Sequence, residues 1–272
     1  MEAGISSYTF NWAFGVPGNR PDKPMTIFNL IEMAIALEAK VIQIADNISL
    51  EKFTDQELRE FKFFADQAEL KIEIGARCMT PERLKQYINI AHLLGAPILY
   101  FAIDGPDFEP SLNKINEIIK AVVPQLDTNG VTLCIENHER LLAHELLDIV
   151  QKAESNQVGI CLDTVNSLGN GEGIETLIRL LAPITYNLHL KEYSIRRFTH
   201  KMGYLIEGAQ LGKGMLPLAE LITNVSPRCQ SAILEQWAPP EKTLQETIQK
   251  EKRWAEESFL YLKSVLSTVK TG

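Results

Sequence analysis

The 272-residue sequence has no apolar run approaching the roughly 20 residues that a membrane-spanning helix needs. It has no Cys-x-x-Cys pair: Cys78, Cys134, Cys161 and Cys229 stand far apart. Three of them fall in apolar runs that read as strands, where a thiol behaves as a small buried hydrophobe, so neither a disulfide framework nor a thiolate zinc site is indicated. Positive charge is in deficit, with 27 Lys and Arg against 35 Asp and Glu and a net charge of −8. That balance argues against a nucleic-acid partner, which would need a basic footprint for the phosphate backbone. Nothing before Ile5 reads as a basic or apolar leader, no partner membrane is indicated, and the expected location is the cytoplasm. Linkers, low-complexity tracts and composition breaks are missing too, which leaves one domain over 1–272 as the expected organisation.

What the chain does contain is a repeating pattern. Hydrophobic residues make up 45% of it, enough for a full core. Eight short apolar runs, at 5–12, 41–46, 71–77, 98–104, 131–137, 158–163, 184–191 and 231–237, alternate with amphipathic stretches. Thr54-Asp55-Gln56-Glu57 is a capping-box sequence, followed by Leu58, Phe61, Ala65 and Ala68 at helical spacing. Thr80-Pro81 reads as an N-cap with proline at the first helical position, with Leu84, Tyr87, Ile88 and Ala91 as the stripe and Gly95 as the stop. Asn129-Gly130 ends a helix carrying Leu112, Ile115, Ile119 and Val122, and a last helix over 243–269 is expected to close the ring. The strands are apolar nearly throughout, as parallel strands covered on both faces are. Eight βα units in a chain of this length predict an α/β fold, a (β/α)₈ TIM barrel, over an open doubly wound sheet. The longest irregular stretch, 194–215, is expected to be a lid or binding loop.

A barrel of this kind keeps its active site at the C-terminal ends of the strands. The fifth run ends in Glu136-Asn137-His138, the sixth in Asp163-Thr164-Val165-Asn166, the seventh in His189-Leu190-Lys191-Glu192 and the eighth in Glu235-Gln236-Trp237. Each of these four successive runs ends in a carboxylate or an imidazole, and the spacing predicts that Glu136, Asp163, His189 and Glu235 converge near the axis. Grouped carboxylates repel one another, and a divalent cation holds them ionised. Three carboxylates and an imidazole form a hard, oxygen-rich set suited to manganese or magnesium, with zinc and cobalt as alternatives. A single carboxylate after a strand is more often a cap or a surface ion-pair partner, and a lone strand histidine more often a hydrogen-bonded core residue. Four at matching places in consecutive repeats are harder to read that way.

These segments resemble the xylose isomerase-like barrels, a family of sugar isomerases, ketose 3-epimerases, inosose dehydratases and endonuclease IV. The likeness spans essentially the whole chain and is strongest over 131–237. It implies that Glu136, Asp163, His189 and Glu235 bind one divalent metal, and that an enediolate forms from a small carbohydrate substrate held by its carbonyl and adjacent hydroxyl. Glu136 and Glu235 are then the groups that remove and return a proton. Lys191 and His138, two residues past their respective ligands on the same strand face, are expected to hydrogen-bond substrate oxygens or shuttle protons.

Substrate charge is read from the stretch after the seventh run, where Lys191, Arg196, Arg197, His200 and Lys201 crowd one region of an acidic chain. An anionic substrate held by Arg196, Arg197 and His200 is the expectation, the alternative being a solvated loop face. Asn11, Asn166 and Trp237 complete the expected substrate contacts, with Trp12 and Phe14 on the same rim. The leading activity is sugar isomerisation or 3-epimerisation. The alternative is decarboxylation of a 3-oxo sugar acid, which passes through the same enediolate. An endonuclease IV-like nuclease is disfavoured by net charge and by a total of five histidines. A homo-oligomer is compatible with all of these.

Overall fold

The structure, a computed structural model, describes residues 1–269, so the expected 1–272 span runs three residues past it. Eight strands close into a barrel: β1 (Glu2–Ser6), β2 (Val41–Ile44), β3 (Lys71–Arg77), β4 (Ile98–Ala102), β5 (Thr132–Glu136), β6 (Val158–Asp163), β7 (Thr185–Leu190) and, after a separate two-stranded element, β10 (Ser231–Leu234). The ring order is β1-β10-β7-β6-β5-β4-β3-β2, with every pairing parallel. Around it run α1 (Asn11–Phe14), α2 (Ile27–Leu37), α3 (Asp55–Gln67), α4 (Pro81–Leu94), α5 (Leu112–Asn129), α6 (Ala143–Ala153), α7 (Ile174–Leu180), α8 (Leu218–Asn224) and α9 (Leu244–Val269). The expected TIM barrel is therefore the observed fold. Among the described residues no helix is long and apolar enough to cross a membrane.

The local signals act as read. Thr54 caps α3 with Glu57 reciprocating, and Leu58, Phe61 and Ala65 are buried against the barrel. Thr80 caps α4, and Gly95 ends it in the left-handed region at φ 65°. The chain departs from the sequence reading in two places. The first strand stops at Ser6, because the Ser6 and Thr9 side chains form a capping box that turns Ser7–Phe10 into a 3₁₀ turn leading into α1. Local hydroxyl capping overrides the β-type run there. The stretch 194–215 is only partly irregular. Residues β8 (Glu192–Arg197) and β9 (Tyr204–Ala209) pair antiparallel as a hairpin rising from the end of β7.

Side chains at alternate strand positions point into the lumen. Tyr100 fills its centre, and an added Cβ at Gly75 would lie 1.8 Å from the Tyr100 ring, so the small residue on β3 makes room for the large one on β4. Beneath Tyr100, Glu73 accepts hydrogen bonds from Ser231 Oγ (2.6 Å), Asn187 Nδ2 (2.8 Å) and Gln43 Nε2 (3.1 Å). Burial raises the Glu73 carboxyl above the usual range despite those donors. This polar layer forms the floor on which the upper lumen stands.

Candidate metal centre

Glu136 and Asp163 are the last residues of β5 and β6, His189 lies one residue before the end of β7, and Glu235 immediately follows β10. All four are buried, His189 and Asp163 completely. His189 Nδ1 is 3.2 Å from Glu136 Oε1 and 3.7 Å from Glu235 Oε1. Asp163, His189 and Glu235 each offer an atom within 4.8 Å of the others, and Glu136 and His189 form a second such group with Cys161. His189 is common to both groups, so the predicted residues do meet, with the imidazole as hub. Burial lifts the Cys161 thiol well above its ordinary range, which keeps it protonated and a poor ligand.

Lys191 enters the same space. Its Nζ is 2.7 Å from Asp163 Oδ2 and 3.0 Å from Glu235 Oε2, and lies 5.5 Å above the Tyr8 ring. Burial alone would raise the Asp163 carboxyl, but Lys191 and His189 outweigh it and hold it below the usual carboxylate range. Burial keeps the Glu136 carboxyl raised, against the pull of its hydrogen bond to His189. For His189 burial opposes the charge, while Glu235, Glu136 and Asp163 together push the imidazole up to about 9. The cluster thus gathers three carboxyl groups, an amine and an imidazole into one buried site.

Supporting residues fix the cluster. Asn137, fully buried, accepts from Asp163 N (2.7 Å) and donates to Asp163 O (2.9 Å) and Ser167 Oγ (2.9 Å). Asp163 Oδ1 accepts from the backbone of Val165 (2.8 Å) and Asn166 (2.9 Å), so Asn166 serves the carboxylate through its N–H. Ser6 Oγ donates to Glu235 Oε1 (2.9 Å), and the Tyr100 ring meets the His189 ring edge-on at 4.6 Å. The sequence reading did not single out Asn137, Ser6 or Tyr100. Asn137 carried a signal in its place between Glu136 and His138, whereas Ser6 and Tyr100 needed the barrel's closure to reveal them.

The expected substrate contacts divide. His138 is half-buried, with Nε2 3.5 Å from Arg77 Nη2 at the mouth. Asn11 Oδ1 accepts from Asn47 Nδ2 (3.0 Å), and Trp12 Nε1 donates to Ala238 O (2.9 Å). Trp237 backs the hairpin, its carbonyl oxygen 1.8 Å from where a Cβ on Gly208 would be. Arg196, Arg197 and His200 lie on the exposed hairpin, and their polar contacts are within it. Arg196 Nε donates to Glu207 Oε1 (3.0 Å), Arg197 Nε donates to Lys201 O (3.2 Å), and His200 stacks on Phe198. A surface cavity of about 800 Å³ lined by Arg20, Lys23, Asn29, Met33 and Gln245 contains none of the cluster residues.

Comparison with known proteins accords with this architecture. The chain is 26% identical over 264 residues to 3-oxo-isoapionate decarboxylase of Pectobacterium atrosepticum, covering 96% of this chain and 95% of the relative. Its fold is similar to D-psicose 3-epimerase, solved in the presence of D-fructose, with a TM-score of 0.72, 16% identity and coverage of 98% and 99% of the two chains. It is also similar to the IOLI protein with a binding zinc atom, with a TM-score of 0.68, 13% identity and coverage of 95% and 98%. Residues 31–264 match the xylose isomerase-like TIM barrel, and the chain belongs to that family.

Proposed function

We propose that the chain is a divalent-metal-dependent lyase that decarboxylates a small 3-oxo sugar acid. The observation that carries the reading is Lys191: a buried ammonium held between Asp163 and Glu235, a proton donor where a reaction leaves a carbanion. The likeness over nearly the whole length of the 3-oxo-isoapionate decarboxylase supports the same class, whereas the likeness to the epimerases is one of fold.

The residues present fit a divalent cation. Asp163, His189 and Glu235 each offer an atom within 4.8 Å of the others, Glu136 lies 3.2 Å from His189 Nδ1, and the buried His189 Nε2 has no hydrogen-bond partner. Glu136, Asp163, His189 and Glu235 would hold the ion, with manganese or magnesium preferred and zinc or cobalt as alternatives. When bound it supplies Lewis-acid stabilisation of negative charge on substrate oxygens. The protein does the rest. Asn137 holds the Asp163 backbone, the Val165 and Asn166 N–H groups hold its carboxylate, Ser6 holds that of Glu235, and Tyr100 walls off the lumen below.

In the reaction the bond between the carboxyl carbon and C2 breaks, its electron pair moves toward the C3 carbonyl oxygen, and carbon dioxide leaves. Lys191 Nζ then gives a proton to C2 and recovers one from solvent, so the product is a ketose one carbon shorter. Incubation of the manganese-loaded protein with a 3-oxo sugar acid in D₂O is the test. Carbon dioxide release with one deuterium placed at C2 is expected, both abolished by chelation and restored by manganese. Turnover without gas overturns the lyase reading.

A second reading, isomerisation or 3-epimerisation of a neutral ketose, is favoured by one observation. Glu136 and Glu235 approach His189 from strands separated by β6 and β7, a disposition in which one removes a proton and the other returns it. Deuterium wash-in to a ketose without carbon dioxide release marks that outcome.

A further inference from the structure

The geometry points to Arg77, at the end of β3, as the residue that binds the carboxylate of the substrate. The inference rests on the sugar-acid reading above and names the group that reads the acid.

Arg77 shares strand parity with Glu73 and Gly75, whose positions face the lumen: Glu73 crosses it to Asn187 and Ser231, and Gly75 abuts Tyr100. Arg77 therefore extends over the mouth, one layer above Tyr100. Two contacts fix it there. Its Nε is 3.6 Å from Asp46 Oδ2, and its Nη2 is 3.5 Å from His138 Nε2. Asp46 Oδ1 is taken by the Tyr100 hydroxyl at 3.0 Å, and the Tyr100 ring packs edge-on against His189. His138 stands two residues beyond Glu136. Both contacts of Arg77 thus lead back to the cluster, by way of Asp46 and Tyr100 on one side and of β5 on the other.

One donor of the guanidinium is also unsatisfied. The Nε–H is buried without a hydrogen-bond partner, and the Asp46 contact is too long for a direct bond. The basic groups nearest the cluster in the fold, Lys191 and Arg140, are committed. Lys191 bridges Asp163 and Glu235, and Arg140 makes a two-pronged bond to Asp104 with Nε at 2.9 Å and Nη2 at 2.6 Å. Arg196 and Arg197 are occupied within the hairpin. A planar fork of donors, anchored loosely from one side and open on the other, matches the two oxygens of a carboxylate. In a chain of net charge −8, a guanidinium beside a nest of carboxylates also offsets their repulsion of an anionic substrate. With its carboxylate on Arg77, a short oxo acid presents its carbonyl and hydroxyl to the carboxylate cluster.

The test separates this inference from the reaction it serves. Manganese-loaded protein is titrated calorimetrically with erythronate and threonate, four-carbon acids that lack the oxo group, and with the neutral polyols erythritol and threitol. The native protein, Arg77→Gln and the hairpin double variant Arg196→Ala/Arg197→Ala are compared. Binding of at least one acid by the native protein and a tenfold or greater loss in Arg77→Gln are expected, with polyol affinity unchanged and the hairpin variant binding like the native protein. Arg77→Lys, which keeps the charge and loses the fork, is expected to recover only part of the affinity. Failure of the native protein to bind either acid overturns the assignment, and so does an Arg77→Gln affinity equal to native or lost equally for acid and polyol. Arg77-dependent acid binding in a protein that releases no carbon dioxide keeps the assignment and rejects the lyase reading. Release of carbon dioxide with an unchanged KM in Arg77→Gln does the reverse.

Discussion

Lys191 Nζ stands 2.7 Å from Asp163 Oδ2 with both groups buried, so the cation is part of the cluster's charge balance as well as its proposed acid. Replacing it by methionine leaves the carboxylates facing one another. Removing one partner of a buried pair costs about 3–5 kcal/mol, and a bound divalent cation offsets that repulsion. Lys191→Met is therefore expected to lower the melting temperature strongly in chelator and much less with manganese. Turnover of the loaded variant is expected to fall by roughly 10²–10⁴, the range for loss of a general acid. Melting curves with and without manganese, alongside carbon dioxide release, check both parts. Equal destabilisation in the two conditions would separate Lys191 from the carboxylates' charge balance.

Asn137 acts on the same aspartate through its backbone. The Asn137 side-chain amide accepts from the N–H of Asp163 and donates to the Asp163 carbonyl. Asn137→Ala is expected to weaken manganese binding by about 10–100-fold, as loss of a ligand's supporting bonds does. Titration of the apoprotein with manganese measures it. An unchanged affinity would show Asp163 to be held well enough by Val165 and Asn166 alone.

The fold and the four candidate ligands were legible because both rest on local, repeating signals. Capping residues and hydrophobic spacing mark α3 and α4, and an ionisable group at the end of each of the last four barrel strands repeats at the same place in the βα unit. What escaped depends on closure. Ser6 reaches Glu235 across the β1–β10 seam, and Tyr100 reaches His189 across the lumen, at separations no window along the chain can see. Arg77 could have been found, since it ends the third apolar run just as Glu136 ends β5. The basic cluster at 191–201 drew attention instead, because it is dense in sequence. Hairpin pairing then engages Arg196 with Glu207 and Arg197 with Lys201.

The hairpin's seat on the barrel is a second place where packing decides. A Cβ on Gly208 would lie 1.8 Å from the Trp237 carbonyl oxygen and 2.4 Å from its Cβ, so β9 can approach the β10 end only as glycine. Gly208→Ala is expected to destabilise by about 1–3 kcal/mol through this overlap. Gly169→Ala, where nothing lies within 4 Å, is expected to leave stability unchanged. Parallel denaturant melts compare them. Equal midpoints would show the hairpin to be free to shift away from Trp237 at little cost.

Glu251 sets a pH dependence remote from the cluster. Its carboxylate on α9 accepts from Trp12 N (2.9 Å) and Ala13 N (3.2 Å), tying α1 to the last helix. Burial nevertheless pushes it up to about 8, beyond what those donors pull back. Between its ordinary pKa, about 4.3 in an unfolded chain, and 8, the folded protein keeps a proton that the unfolded chain has released. The folded state binds more protons in that window, so this group's contribution to stability is full below the lower limit, declines as pH rises through the window, and levels off above it. Glu251→Gln has no proton to lose. The native protein's melting temperature relative to Glu251→Gln is therefore expected to fall steadily from about pH 4.3 to pH 8. A difference that stays flat over that interval would mean that the Trp12 and Ala13 amides keep the carboxylate ionised.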